Sequence, residues 1–543
     1  KDQTSDTTLY RHSLRTMRCA AIGIDLGTTF SAVGFCSKDE KITVIHNDEG
    51  NPITPSVVHF DQNDEHFVGE VALRKRSTHP RRTFSEIKRF IGRDHDDTIL
   101  KQRNWPFEVV RGLKGKACVR VDGDIYTPEE ISGIILNQMK LIAKKYIDSP
   151  KDAVITVPAS FTNIQRQATM HAGQFAGLNV LQIINEPTAA ALAFCHKNPS
   201  KAKRKILVYD LGGGTFDVSI VESDGNQMKV LSTNGATFLG GVDFDLEIYK
   251  EAVARFRSDG IDVPNGDWTL MEACEKAKKV LARLPSARID YTTKNGKHVG
   301  FDLTHDTFVD LCENLFDQTM RLVDKAITDA RLAKKDLDEI VLVGGSTRMV
   351  YVRKLLTDHF PGKKIRTDVE PDLAVAQGAA LVAATLSNGN AFTEEQLRPA
   401  TEKRFSRIML IDVTPHSLGL RLDRDLMSIL IPKNTSIPFE TTEIYTNAED
   451  FDNHLTIEIV EGENDKASLN VELAKFRIRV TPKKKNENSI EVRFNINKSG
   501  ILEVTAIDKD TNKRASITVQ SGSLDSEERE KITRQLALVT LNG

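Results

Sequence analysis

Residues 22–30 read I-G-I-D-L-G-T-T-F, and residues 208–216 read V-Y-D-L-G-G-G-T-F. In each, an apolar run climbs to a single aspartate, Asp25 or Asp210, and breaks into a glycine-rich turn carrying hydroxyls: Thr28 and Thr29 in the first, Thr215 in the second. The apolar runs predict buried strands. The glycines allow a tight reversal and let backbone N–H groups approach an anion closely. An aspartate at each strand end suits Mg2+, an ion that favours hard oxygens and keeps much of its water. A plain hairpin turn is the commoner source of one such turn. Two copies in one chain point instead to a clamp on the phosphates of a nucleotide.

A chain of 543 residues holds several domains with sizeable cores. Its net charge of −2 argues against a broad nucleic-acid-binding surface, so no nucleic-acid partner is expected. No apolar run is long enough to span a bilayer, and no membrane partner is expected. Cys19, Cys36, Cys118, Cys195, Cys274 and Cys312 are scattered without a C-x-x-C pair, which fits inert thiols in a reducing compartment. The first eighteen residues lack a signal-peptide apolar stretch. A cytoplasmic location is expected, or the endoplasmic reticulum or another organelle if a targeting segment has been removed.

From residue 20 to about 385 strand-like and helix-like segments alternate, the pattern of an α/β class with mixed sheets. Helices are predicted over 128–146, capped by Thr127 with Glu130 at N3, and over 163–176, 267–284, 304–331 and 371–386. Strands are predicted over 153–157 and 340–343. A polar stretch, 387–400, reads as a connector and is followed by an apolar patch at 408–411. From 413 to 519 the helical period gives way to alternation, as in Leu418-Leu420-Leu422, Leu455-Ile457-Ile459 and Ile490-Val492-Phe494-Ile496, which predicts a β-sandwich. Asp525 and Glu528 form the capping box of a final helix.

A third turn, Gly344 to Arg348, ends a strand where open α/β sheets bind ligands, with Arg348 placed to lie against a base. No Walker-type G-x-x-x-x-G-K-S/T is present, which argues against a P-loop enzyme. Phosphoryl transfer needs positioning and charge neutralisation more than a covalent nucleophile. The candidate carboxylates are Asp25, Glu186, Asp210 and Asp217. Glu186 precedes Pro187 and is expected at a strand-to-helix junction. The thirteen histidines show no metal-ligand spacing.

Seven segments then occur in one order: I-G-I-D-L-G-T-T-F, I-I-N-E-P-T-A-A-A, D-L-G-G-G-T-F-D-V-S, F-L-G-G-V-D-F-D, V-G-G-S-T-R, D-V-T-P-H-S-L-G and I-P-K-N-T-S-I-P. Together they resemble the seventy-kilodalton heat-shock (DnaK-type) chaperones, from about residue 20 onward. The resemblance implies an α/β actin-like (ribonuclease H-like) ATPase domain of two lobes over 20–386, after an N-terminal extension 1–19. An interdomain linker over 387–411, an all-β sandwich that grips extended peptides over 412–522, and the start of a helical lid over 523–543 would follow. It further implies ATP or ADP with Mg2+, with K+ a possible second cation. Unfolded or extended polypeptides, a J-domain co-chaperone and a nucleotide-exchange factor are the implied partners.

Carried over by position, Gly27, Thr28, Thr29 and Phe30 match the family's first phosphate loop and Gly212, Gly213, Gly214 and Thr215 the second, with Gly240 and Gly241 beside them. Asp25, Glu186, Asp210 and Asp217 match the carboxylates for Mg2+ and water, with Asp25 and Asp210 holding the metal through its water. Glu275, Lys278, Lys279 and Ala282 match ribose and base contacts, and Gly344, Gly345, Ser346, Arg348 and Asp372 complete the base site. Pro158, Arg166 and Asp412 match an interdomain relay. Leu420, Leu422, Tyr445, Ala448 and Leu455 match the peptide groove. Against the family pattern, an ungapped count back from K-R-F-I-G-R (88–93) puts its catalytic lysine on Leu73, which implies slow hydrolysis. Lys279 stands for an arginine, Ala282 for a serine, Val242 and Arg407 for acids, and Asp423 for an apolar arch residue. The expected function is an ATP-driven chaperone. The alternatives are a nucleotide-switched adaptor with little turnover and, more remotely, an actin-fold metabolite kinase, which would need neither sandwich nor linker.

Overall fold

The computed structural model describes residues 21–37, 41–63, 65–225, 227–264, 266–293, 295–388 and 409–519. The N-terminal extension and the start of the lid fall outside these residues. The repeated motif is a repeated structure. Ile22–Leu26 pairs antiparallel with Phe30–Cys36 and parallel with Asp152–Val157. In the same way, Arg204–Leu211 pairs antiparallel with Phe216–Ser223 and parallel with Glu339–Val343. Each aspartate lies at the end of a strand whose next residues turn back on it. Apolar residues fill both strands because both faces of each sheet are covered.

The two sheets meet through two helices, Glu186–Lys197 and Ala374–Asn388. Their seam is built from small residues. A Cβ on Gly378 would lie 1.8 Å from the Ala189 carbonyl oxygen, and one on Gly23 would lie 2.1 Å from the Ala380 nitrogen. Backbone therefore packs on backbone here, and this close approach brings the ends of the two motif strands together.

Most predicted elements are present with small shifts at their ends: Pro128–Lys144 with its Thr127/Glu130 capping box, Asn163–Phe175, and Trp268–Leu281 capped by Asp267. The expected helix over 304–331 is two, His305–Leu311 and Glu313–Asp329. It breaks at fully buried Cys312, whose φ of −105° and ψ of 8° leave the helical region.

The boundary expected at 411 is crossed by a strand. Met409–Val413 pairs parallel with Gln227–Ala236 and antiparallel with Ser436–Ile437, closing the exposed edge of the second lobe's sheet. The remainder of the expected connector, 389–408, lies outside the described residues. Beyond the strand, two four-stranded antiparallel sheets form the sandwich. One runs Met427–Ile431, Leu418–Arg421, His454–Glu461, Val471–Arg479, and the other Phe439–Tyr445, Ile490–Ile496, Leu502–Asp508, Arg514–Thr518.

The sandwich is docked on the α/β part. Ile164, from the helix Asn163–Phe175, packs into the sandwich core. The Asn163 side chain donates to the Gly500 carbonyl at 2.6 Å and accepts from the Leu502 N–H at 3.2 Å. Ser499 Oγ accepts from the Ile183 N–H, and Lys433 pairs with Asp329 at 3.2 Å. Because the seam at Gly378 has no room for a methyl group, Gly378→Ala is expected to destabilise the α/β part by at least about 1–3 kcal/mol, the usual cost of overpacking a core. Thermal unfolding would show a lower midpoint; an unchanged midpoint would mean the two helices can part freely.

Candidate functional site

The three glycine turns converge. A Cβ on Gly213 would lie 2.2 Å from Thr29 Oγ1, and one on Gly214 would lie 2.4 Å from the Thr28 methyl group, so the first two turns face each other at contact distance. Gly240 backs onto Gly214 in the same way, at 2.6 Å from its nitrogen. Ser346 Oγ donates to the Gly212 carbonyl at 2.8 Å, which ties the third turn to the second. Gly344 adopts φ +79° with its Cα against the Leu211 carbonyl, a place where a side chain has neither the conformation nor the space.

Between the turns lies a cavity of about 1000 Å3. Its walls include Asp25, Gly27, Thr28, Thr29, Phe30, Glu186, Asp210, Gly212, Gly213, Gly214, Thr215, Gly241, Glu275, Lys278, Lys279, Ala282, Gly344, Gly345, Ser346, Arg348 and Asp372. Two expected members stand one layer back. Asp217 pairs directly across the hairpin from Asp210 and accepts from the Ser160 N–H at 3.0 Å, while Gly240 supports the second turn.

The inner end of the cavity is electrostatically loaded. Burial, and then the charge of Glu186, push Asp25 and Asp217 up to about 7. The same two causes raise Asp210 well above the ordinary carboxylate range. One cation stands among them: Lys88, almost fully buried, donates to Glu186 and lowers the carboxylate pKa values. Acids so placed are short of positive charge, and this donor set fits a divalent cation.

Leu73, where the resemblance expects a lysine, ends the short helix Glu70–Leu73 and is not part of the cavity wall, whereas Lys88 is. The lysine at the inner end is the first residue of K-R-F-I-G-R itself. Its trace in the sequence is slight: Lys88 and Arg89 stand between Ile87 and the pair Phe90 and Ile91, and all five are buried. Lys279 lines the cavity. Its ammonium pairs with Glu275 at 2.7 Å and is largely exposed. Lys278 is buried, bonded to Asp245 at 2.7 Å and to the Gly241 carbonyl at 2.6 Å.

The relay residues lie between the cavity and the sandwich. Pro158 ends the run from Asp152–Val157, and its carbonyl accepts from the Phe161 N–H. Buried Arg166 donates to Asn185 Oδ1 at 2.6 Å and to the carbonyls of Ala159 and Phe161. Asp412 accepts from Thr188 Oγ1 at 3.1 Å, beside the helix that Glu186 begins. On the sandwich, Leu420, Tyr445 and Leu455 pack against the core, and Tyr445 and Ser428 share a hydroxyl–hydroxyl bond of 3.0 Å. Ala448 and Leu422 are exposed on the connecting loops, and Asp423 opens a short turn beside Leu422.

A contact over the outer cleft escapes sequence reasoning. Arg76, from the first lobe, stacks on Trp268 of the second at 4.4 Å and reaches Glu272 at 3.4 Å and Glu275 at 3.8 Å. Its side chain is only 13% exposed. A half-buried ion pair and a cation–π contact together contribute about 1–2 kcal/mol. Arg76→Ala is therefore expected to speed release of a fluorescent ADP roughly ten-fold in stopped flow, since about 1.4 kcal/mol is a factor of ten. An unchanged off-rate would show that the contact does not hold the cleft shut.

Comparison with known proteins agrees with this architecture. The model of the family described as Hsp70 protein matches residues 21–539. A heat shock 70 kDa protein of Neurospora crassa is 40% identical over 526 residues, 94% of this chain and 80% of that protein. A ribosome-associated molecular chaperone of Zygosaccharomyces rouxii is 37% identical over 531 residues, and its counterpart in Eremothecium gossypii 38% over 532; each comparison covers 95% of this chain and 84% of the relative. Neither an adaptor without turnover nor a metabolite kinase is favoured by these matches. With cleft, sandwich and family in agreement, the chain belongs to the Hsp70 family and is an ATP-dependent molecular chaperone, an ATPase that binds unfolded polypeptide.

Proposed function

We propose that the cavity binds ATP and ADP with Mg2+, and that Lys88 is the cation which reaches the terminal phosphate and orders the attacking water. The observation that carries this reading is the inner end of the cleft, where one buried lysine stands among Asp25, Glu186, Asp210 and Asp217 and between two glycine turns. Asp25 and Asp210 would hold Mg2+ through its water, and K+ has oxygen partners in the same cluster. Mg2+ would supply the positive charge that the transferred phosphoryl group needs. Backbone N–H groups of the two turns, with the Thr28, Thr29 and Thr215 hydroxyls, hold phosphate oxygens. Glu186 and Asp217 orient water. Glu275 and Lys278 face the ribose, while Gly345, Ser346, Arg348 and Asp372 form the far wall.

Arg166 and Asp412 link this chemistry to the sandwich, where Leu420, Leu422, Tyr445, Ala448 and Leu455 would accept an extended apolar peptide. In the docked arrangement the strand Met409–Val413 belongs to the ATPase sheet, which supports a coupling of nucleotide state to peptide affinity. A J-domain protein would stimulate hydrolysis and an exchange factor would release ADP. Among the described residues no two cysteines form a disulfide, which supports action in a reducing compartment such as the cytoplasm.

Single-turnover ATP hydrolysis tests the role of Lys88. Lys88→Ala is expected to slow the reaction by about 10²–10³, the cost of removing one charge-stabilising contact. Leu73→Lys is expected to leave it unchanged. A Lys88→Ala rate within two-fold of wild type would refute the assignment. Acceleration of steady-state turnover by an apolar peptide is the matching test of the chaperone cycle.

The raised carboxylates add a pH dependence. With folded pKa values of about 7, Asp25 and Asp217 hold protons at pH 6 that Mg2+ must displace. The affinity for Mg·ADP is expected to fall between pH 8 and pH 6 in calorimetric titration, with proton release on binding at the lower pH. A flat profile without proton release would overturn this.

A further inference from the structure

Five cations line the cleft, and four are neutralised on the spot. Lys88 is paired with Glu186, Lys278 with Asp245, Lys279 with Glu275 and Arg348 with Asp372. Among the described residues Arg283 is the exception. It lines the cleft, and its guanidinium meets no carboxylate.

Its position sets what it can touch. The helix Trp268–Leu281 leads outward from the phosphate turns, since Lys278 bonds the Gly241 carbonyl beside them. Past its end come Ala282, Arg283 and Leu284, all in the cleft wall, with the Arg283 N–H bonded back to the Val280 carbonyl at 2.9 Å. A nucleotide whose phosphates occupy the glycine turns thus presents its base to this outer stretch. Val280 and Leu284, 39% and 57% exposed, offer apolar surface to the base plane. Ala282 offers no hydrogen-bonding side chain. Two carboxylates of the wall, Glu275 and Asp372, are already tied to cations.

The cation left unpaired in this outer wall is therefore a pure donor with a fork of N–H groups. Adenine presents an amino donor at position 6 and finds no free carboxylate there. Guanine and hypoxanthine present acceptors at O6 and N7, the pair that an arginine fork matches bidentately. We infer that the cleft accepts 6-oxopurine nucleotides beside adenine nucleotides, with Arg283 as the residue that reads the O6/N7 edge. This rests on the proposed nucleotide cleft and extends it to base selection.

Displacement of a fluorescent ADP from the full chain by ADP, GDP and IDP tests it. In wild type, GDP and IDP are expected to bind within about ten-fold of ADP. Arg283→Ser should widen the GDP-to-ADP ratio of Kd values by roughly three- to ten-fold, the low end of what a bidentate contact discriminates because this arginine is solvated. Arg283→Lys should recover part of that ratio, since one ammonium still donates. GDP weaker than ADP by more than about a hundred-fold in wild type would overturn the inference. So would an Arg283→Ser variant that weakens ADP and GDP equally. In either case the nucleotide cleft would stand; failure of ADP itself to bind would sink both.

Discussion

Like charges held out of water at the ends of two strands set the terms for the rest of this molecule. Asp25, Asp210, Asp217 and Glu186 lie close enough for burial and mutual repulsion to raise the pKa values of the three aspartates. Such a cluster is costly to assemble and persists only where the surrounding structure leaves it no alternative. Here the constraint comes from two hairpins locked into separate sheets and from a backbone-on-backbone seam at Gly378 and Ala189 that fixes how far apart the sheets can stand. Positive charge brought into the cleft would relieve the repulsion among these acids.

The docked sandwich lies close to this cluster. Glu186 begins the helix on which Thr188 bonds Asp412, and Asp412 lies in the strand that closes the second lobe's sheet. Arg166 sits beneath, with Asp412, Glu461 and Asp217 all acting on its charge. Arg166 and the strand Met409–Val413 thus stand between the inner cleft and the sandwich, beside the contacts of Asn163, Ile164, Ile183 and Asp329.

The glycine turns, their hydroxyls and the aspartates are legible in the sequence because their chemistry is local: the turn, the cap and the acid are consecutive residues. The alternation of the sandwich strands is legible for the same reason. Lys88 is barely so, since its partner Glu186 is remote in sequence and a lysine next to Arg89 in the run Ile87 to Ile91 gives little local sign of being buried. Arg76 is hidden likewise, being one basic residue in a basic stretch whose meaning comes from Trp268 in the other lobe. The strand Met409–Val413 looks like connector in the sequence because its hydrogen-bond partners lie far away in the chain. Cys312 breaks a helix whose apolar periodicity continues through it. In each case what is missing is a tertiary distance, which neither propensity nor motif encodes.

The strand Met409–Val413 has a further consequence. It occupies the edge of Gln227–Ala236 at residues 227–229, and a sheet edge can be satisfied by one chain at a time. Were this strand withdrawn, the edge would be a short parallel docking rail open to an extended segment. Regulators that add a strand there would compete with the chaperone's own tether, so occupancy of this short stretch of backbone would decide whether the two halves can rejoin.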